Sequence, residues 1–268
     1  MIAELDRSSS GLIPSHTSVC AGGPDPRYPV RPCLETGFAP SNQDSPCPPA
    51  LKIDFVSDIA CPWCAIGLSS LQLALSHLGD EVDAEVVLHP FELNPDMGPD
   101  GEAIVDYLGN KYGRTPAQIA ETQAMIRERG ADVGFSFGPR ERVYNTFDAH
   151  RLLHWARLEG RQVPLKLALL RAYHGEGKDP SDQDVLVEAA QSAGLDGAAA
   201  RRVLEDGDYA DEVRAEEREY QSMGIHSVPS IIFNDRYLVT GGQPAEAFER
   251  VIRQILAEGS EGAERAEG

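Results

Sequence analysis

Apolar and polar positions sort this chain into a short β-rich stretch, a long helical block and a second short β-rich stretch. Lys52-Ile53-Asp54-Phe55-Val56-Ser57 reads as a strand, Ala65 to Leu78 as an apolar helix, and Ala84-Glu85-Val86-Val87-Leu88 as a second strand. Strand, helix and strand in that order predict a right-handed parallel βαβ unit. His89-Pro90-Phe91-Glu92-Leu93-Asn94-Pro95 leads out of the second strand, where the prolines are expected to stop regular structure. From 101 to 223 the pattern turns helical with almost no strand signal, and helices are expected near 101–111, 115–129, 143–158, 162–174, 182–193, 196–205 and 208–222. Thr115-Pro116, Asp182 and Asp196 supply helix starts, and Gly160, Gly175, Gly194 and Gly224 supply helix ends. In the 143–158 helix, Phe147, Arg151, His154 and Leu158 share one face, and Ala149, Leu152, Leu153 and Ala156 another. The β signal returns at Ser230-Ile231-Ile232-Phe233, turns at Asn234-Asp235-Arg236 and comes back as Tyr237-Leu238-Val239-Thr240. Gly241-Gly242 breaks it, and an amphipathic helix closes the pattern from Pro244 to Leu256.

The two β-rich parts, 51–93 and 225–258, are therefore expected to form one discontinuous domain, split by the helical insertion 94–224, with 259–268 fraying. Residues 1–50 carry nine prolines, with Ser and Gly between them and no apolar period, and are expected to be a disordered tail. Its thiols, Cys20, Cys33 and Cys47, are too widely spaced for metal ligands and read as incidental.

Composition changes the picture in three places. At 41% hydrophobic and 25% charged over 268 residues, the chain is an ordinary globular protein with enough length for one large or two modest domains. A net charge of -19 argues against nucleic acid or an anionic membrane surface as partner. No apolar run approaches the ~20 residues of a membrane span, and Met-Ile-Ala-Glu-Leu-Asp-Arg lacks the basic start of a signal peptide, so the expected compartment is the cytoplasm. There a CxxC pair is catalytic or metal-binding more often than structural.

That pair is Cys61-Pro62-Trp63-Cys64, at the turn from the first strand into the first helix. Two thiols at this spacing form a dithiol/disulfide redox centre. Cys61 falls at the helix N-terminus, where unpaired N–H groups and the helix dipole favour the thiolate, and Pro62 suits the first helical turn. Cys64 can then resolve a mixed disulfide made by Cys61. Zinc would require further Cys or His ligands, and no second CxxC follows. His150 and His154 stand four apart but lack the Glu of an HExxH helix, so no metal is expected, and His150 reads as a residue packed near the site.

With Cys61-Pro62-Trp63-Cys64, the set Asn145, Ala149, His150 and Arg151, and Ser227-Val228-Pro229-Ser230, the chain resembles the DsbA-like thioredoxin superfamily, most closely its cytoplasmic FrnE-type branch, over about 52–257. The resemblance implies an α/β thioredoxin fold (βαβ…ββα) interrupted by a large all-helical insertion. It also implies that Val228-Pro229 is a cis peptide facing the dithiol, with the Val228 backbone open to an extended substrate. Thioredoxin-like folds often bury an acid under the resolving cysteine. Asp54 fits that place, with a raised pKa, if the loop before Cys61 carries one extra residue; otherwise Phe55 takes it. Pro62 and Trp63 are expected to modulate the dithiol, and His226 to tune Cys61 from beside the Val-Pro turn.

The expected activity is thiol–disulfide exchange, by an oxidoreductase acting on disulfide-containing proteins or low-molecular-weight thiols. It needs no cofactor beyond its own redox-active disulfide, has glutathione as a candidate cosubstrate, and requires a thiol reductant or oxidant for recycling. A homodimer is left open. Two alternatives stand: a glutathione-dependent isomerase or transferase of the kappa or hydroxychromene carboxylate isomerase type, and a chaperone-like binding module without enzymatic activity. The first typically has a serine where Cys61 stands.

Overall fold

The computed structural model describes residues 3–4 and 48–266. The tail expected over 1–50, with Cys20, Cys33 and Cys47, falls almost wholly outside them. In chain order the strands are β1 (Ala3–Glu4), β2 (Ala50–Ser57), β3 (Asp83–Pro90), β4 (Glu102–Ala103), β5 (Arg142–Val143), β6 (Ser230–Phe233) and β7 (Tyr237–Thr240). The helices are α1 (Pro62–Leu78), α2 (Ile104–Tyr112), α3 (Pro116–Ala131), α4 (Phe147–Leu158), α5 (Gln162–Leu170), α6 (Gln183–Ser192), α7 (Gly197–Glu205), α8 (Ala210–Ser222) and α9 (Ala245–Ala266). The main sheet runs β1-β7-β6-β2-β3. Among the described residues only β2 and β3 pair in parallel, as expected of the βαβ unit, while β6 and β7 add antiparallel strands beyond β2.

The fold is the α/β thioredoxin arrangement with a helical insertion, and four details differ from expectation. β3 runs on through His89 and Pro90, paired with Val56 and Ser57. β3 is a sheet edge, so a proline that cannot donate is tolerated at its end. Glu102–Ala103 pairs with Arg142–Val143 inside the helical block, two residues a side and too short to leave a period in sequence. α9 continues through residues 257–266, where Ala and Glu are good helix formers. Ala3–Glu4 pairs with β7, so the sheet takes its outermost strand from the segment expected to be a tail.

Both faces of β2 are covered. Leu51, Ile53 and Phe55 pack with Ala65, Leu68 and Leu71 of α1 and with Phe248 and Ile252 of α9. Val56 packs on the opposite side with Phe91, Tyr220, Ile225 and Ile232. The insertion has its own core, in which Ala149, Leu152, Leu153 and Ala156 of α4 meet Leu165 and Leu169 of α5. Ile59 and Ala60, from the turn after β2, join that core and so tie the insertion to the βαβ unit. On the other face of α4, Leu158 is exposed and Arg151 is buried, donating to the Val203 and Leu204 carbonyls at the end of α7. A cation there satisfies last-turn carbonyls and complements the helix dipole.

A second tie is ionic. His89 donates from Nε2 to Asp54 (2.8 Å) and from Nδ1 to Glu216 of α8 (2.6 Å), joining β2, β3 and the insertion. Burial works against the charged ring, but the two carboxylates outweigh it and raise the His89 pKa above its ordinary 6.5. Asp54 and Glu216 are held below their ordinary values: burial works against each, and His89, with Lys52 for Asp54 and with His154 and Arg157 for Glu216, prevails. The carboxylates therefore stabilise the fold above about pH 4.5 and lose that contribution as pH falls through their folded values. His89 contributes fully below pH 6.5 and loses its contribution as pH rises through its raised folded value. The melting-temperature difference between wild type and His89→Gln should thus be largest near pH 5–6 and shrink on the alkaline side. A difference independent of pH between 5 and 9 would count against a charged His89.

Candidate active site

The turn Asp58-Ile59-Ala60 carries the chain from β2 to Cys61, the N-cap of α1, with Pro62 in the first helical position. Cys61 has extended backbone angles (φ -88, ψ 113), and no side chain caps the helix, so the first N–H groups of α1 are left for the Cys61 sulfur. Both thiols are unbridged and buried, Cys61 at 5% exposure and Cys64 at 0%. The Cys64 thiol, donating to Cys61, holds the Cys61 pKa below the ordinary value of 9.0; burial opposes this, the N–H groups of Cys64 and Trp63 add to it, and the Asp58 charge opposes it. Burial, with the donation to Cys61 and the Cys61 charge, pushes Cys64 well up. One sulfur is set to ionise and the other to hold its proton.

The Val228–Pro229 peptide is cis, and the Cys61 thiol donates to the Val228 carbonyl at 3.6 Å. Pro229 is packed against α1: a Cβ built on Gly67 would lie 3.2 Å from Pro229 Cγ. Behind the same turn sits Gly242, where a Cβ would come within 2.9 Å of the Trp63 carbonyl oxygen and 3.4 Å of the Trp63 ring. The Gly241-Gly242 break thus does more than end β7; it lets the backbone after β7 close on the dithiol turn. Gly242→Ala should cost about 1–3 kcal/mol by overpacking and shift the dithiol–disulfide equilibrium, read by thermal melting and by titration against glutathione. An unchanged equilibrium would mean that the turn yields without moving the sulfurs. His226 is exposed and engages no hydrogen-bond or ion-pair partner among the described residues.

Asp54 does not lie under Cys64. It alternates with Phe55 along β2, and Phe55 is the residue that faces α1, within 3.6 Å of the Gly67 Cβ position. Asp54 instead pairs with His89 and Lys52, and its pKa is lowered rather than raised. The acid beneath the dithiol turn is Asp58, fully buried. Its Oδ1 accepts from Ala60 N (3.1 Å), Thr146 Oγ1 (2.8 Å) and His150 Nε2 (3.4 Å), and its Oδ2 from Leu93 N (2.7 Å). Burial works against the charge, but these donors, His150 foremost, hold the carboxyl below its ordinary 3.8.

Further insertion residues brace the turn. His174, in a π-helical turn that extends α5 over Arg171–Gly175, donates from Nε2 to the Ile59 carbonyl (2.8 Å) and accepts at Nδ1 from Arg140 (3.3 Å). Burial, then the Arg140 charge, holds His174 well below its ordinary pKa, which fits a neutral ring. Arg140 also donates to the Ala60 carbonyl at 3.0 Å. Lys166 of α5 is 1% exposed. Of these only His150 was singled out by sequence; a lysine inside the apolar run Val163-Pro164-Leu165-Lys166-Leu167-Ala168-Leu169-Leu170 was a visible anomaly.

Residues 52–253 match the DSBA-like thioredoxin domain family. A probable DsbA oxidoreductase of Streptomyces coelicolor is 37% identical, with 78% of this chain and 91% of that one covered at a TM-score of 0.73. The uncharacterized protein YwbO of Bacillus subtilis (strain 168) is 27% identical over 204 residues, 75% of this chain and 96% of its own length. The cytosolic disulfide reductase DsbM of Pseudomonas aeruginosa, solved with GSH, shares the fold at 18% identity and a TM-score of 0.54, with 77% and 99% of the two chains covered.

Proposed function

The chain belongs to the DSBA-like thioredoxin family, and from that premise we propose that it exchanges disulfides through Cys61 and Cys64. The Cys61 thiolate attacks a disulfide of a protein or a small thiol compound and forms a mixed disulfide. Cys64 then attacks Cys61, and the substrate leaves reduced; a small thiol such as glutathione returns the pair to its dithiol form, and oxidation of substrates runs the steps in reverse. Val228, beside the cis-Pro229 turn, offers backbone for an extended substrate strand. The observation that carries this reading is the placement of the two sulfurs: Cys61 at the uncapped N-terminus of α1 against the Val228 carbonyl, and Cys64 one turn further in and wholly buried. A thiolate attacks and a thiol waits, which is the division of labour the exchange requires.

The test is the equilibrium of the Cys61–Cys64 pair against glutathione buffers, with Cys61→Ser as control. A reversible disulfide, with turnover lost in the variant, supports the reading, and the measured potential gives the direction of electron flow in a given compartment. If the pair forms no reversible disulfide, or Cys64→Ser stays fully active with glutathione supplied, exchange through this dithiol fails and glutathione-dependent isomerase chemistry takes its place.

A further inference from the structure

We propose that Arg140, held against the dithiol turn, seats a carboxylate of the substrate and so selects carboxylate-bearing small disulfides for Cys61. The inference rests on the disulfide-exchange reading above and names the substrate class that the site favours.

Three basic side chains of the insertion bond the turn Asp58-Ile59-Ala60, each at a different residue. His150 is on the Asp58 carboxylate, His174 on the Ile59 carbonyl and Arg140 on the Ala60 carbonyl. His150 and His174 are buried, but Arg140 is only half-buried. It lies between α3 and β5, beside the exposed Pro139 and Glu141. Its carbonyl partner belongs to the residue directly before Cys61. Solvent therefore reaches a guanidinium that is bonded next to the nucleophile.

That guanidinium is only partly used. Nη1 carries two hydrogens and both are committed, one to the Ala60 carbonyl (3.0 Å) and one to His174 Nδ1 (3.3 Å). Nε and Nη2 engage no partner among the described residues, and no carboxylate among them comes within 4.0 Å. Nε and Nη2 form the edge with which an arginine grips a carboxylate through two parallel hydrogen bonds. The plane is set beforehand by the two Nη1 bonds and by the Tyr173 ring, whose centroid lies 5.1 Å from Arg140 Cζ. A fork fixed in advance loses little side-chain freedom when it binds. Arg151, Arg157 and Arg214 find their carboxylates within the chain, on Asp148, Glu216 and Glu217. Arg140 leaves that place to a ligand.

Cys61 thus has the Val228 backbone at its sulfur and a guanidinium at the peptide before it. A thiol with a carboxylate a few bonds from its sulfur, as in glutathione, suits such a pair. The net charge of -19 repels anions in general, so a local cation has to supply the attraction. The exchange step itself is unchanged. The Cys61 thiolate attacks one sulfur of the disulfide, and the new bond to Cys61 forms as the substrate S–S bond breaks. The leaving thiolate takes its proton from water, and Arg140 holds the half that stays on Cys61.

The first step is isolated in a Cys64→Ser background, where adduct formation on the fragment carrying Cys61 is timed by acid quench, digestion and mass spectrometry at pH 7. The probes are oxidised glutathione, its tetramethyl ester with every carboxylate blocked, and cystamine, which has none. The readout is the rate with oxidised glutathione relative to each of the other two, because a general effect on the turn cancels in that ratio. Arg140→Met should lower both ratios by about 10–100-fold, the weight of hydrogen bonds to a charged group. Arg140→Lys, a point charge without the fork, should recover only part of the loss. Melting curves check that both variants fold. Ratios unchanged in Arg140→Met overturn the proposal, and so does an equal slowing with all three probes, which would make the arginine a brace of the turn. Wild-type ratios in Arg140→Lys also overturn it, since attraction at a distance would then suffice; if Arg140→Met does not fold, this variant decides alone. If Cys64→Ser protein with Arg140 intact forms no adduct with any probe, the exchange reading itself falls.

Discussion

Cys64→Ser protein should accumulate a stable mixed disulfide between Cys61 and its substrate in place of turning over. The variant keeps everything that activates Cys61 apart from one donor: the extended N-cap backbone, the N–H groups of Cys64 and Trp63, and the open first turn of α1. A serine hydroxyl can still donate to the Cys61 sulfur, but it cannot attack a disulfide. Release of the reduced substrate should therefore slow by about three orders of magnitude or more, the scale on which loss of a sole nucleophile is felt. Mass spectrometry after incubation with a disulfide peptide and proteolytic digestion should show an adduct on the fragment that carries Cys61, removed by dithiothreitol and absent from the same fragment of Cys61→Ser. An adduct that forms at the same rate on the fragment spanning residues 61–64 in Cys61→Ser would place the reactive sulfur elsewhere, and the assignment of Cys61 as nucleophile would be wrong.

Asp58→Ala should be the most destabilising single change near the site. It strips the acceptor from the Ala60 and Leu93 N–H groups, the Thr146 hydroxyl and His150, all in a fully buried position. Breaking such a network costs about 3–5 kcal/mol, which in a domain of this size lowers the melting temperature by roughly 6–20 °C. Asp58→Asn keeps an oxygen acceptor and should cost less, but it too removes a negative charge that now opposes ionisation of Cys61. The Cys61 thiolate, followed by its ultraviolet absorbance, should accordingly form at lower pH in Asp58→Asn than in wild type. Unchanged titration would mean that the carboxylate is a structural tie alone. A melting temperature within about 2 °C of wild type for Asp58→Ala would mean that the turn relaxes and finds other acceptors.

Periodicity carried most of the architecture. Strands alternate and helices repeat at 3.6, so the order of elements and the split by the helical block were legible; the Val228-Pro229 turn opposite the dithiol came from the family resemblance, not from the pattern. The buried acid was a matter of parity. Strand β2 is covered on both faces, by α1 and α9 on one and by Phe91, Tyr220 and Ile232 on the other. A strand buried on both sides shows no contrast between an inner and an outer face, so nothing in Ile53-Asp54-Phe55-Val56 told which residue looks toward Cys64. One step of register separates Asp54 from Phe55, and the structure settles it in favour of Phe55. Asp58, Lys166 and His174 were hidden for a different reason. Asp58 meets His150 across 92 positions and Ile59 meets His174 across 115, so these contacts exist only once the insertion has docked. Sequence could flag a lysine in an apolar helix, but not the cavity it borders with His89, His150 and Glu216.

The same separations bear on how the protein is made. β2 finds β3 within a few dozen residues, but its other neighbour, β6, is translated only after the entire insertion, and the Val228 carbonyl that shields Cys61 emerges 167 residues later than the thiol itself. A ribosome therefore presents a nascent chain whose central strand has one unpaired edge and whose most reactive sulfur has no cover. During that interval Cys61 is exposed to whatever oxidant or thiol is at hand, and β2 to any strand that will pair with it. Thr146, His150, Arg140 and His174, the inserted residues that hold the Asp58–Ala60 turn, are all translated before β6, so the turn has its polar partners in the chain before its cover arrives.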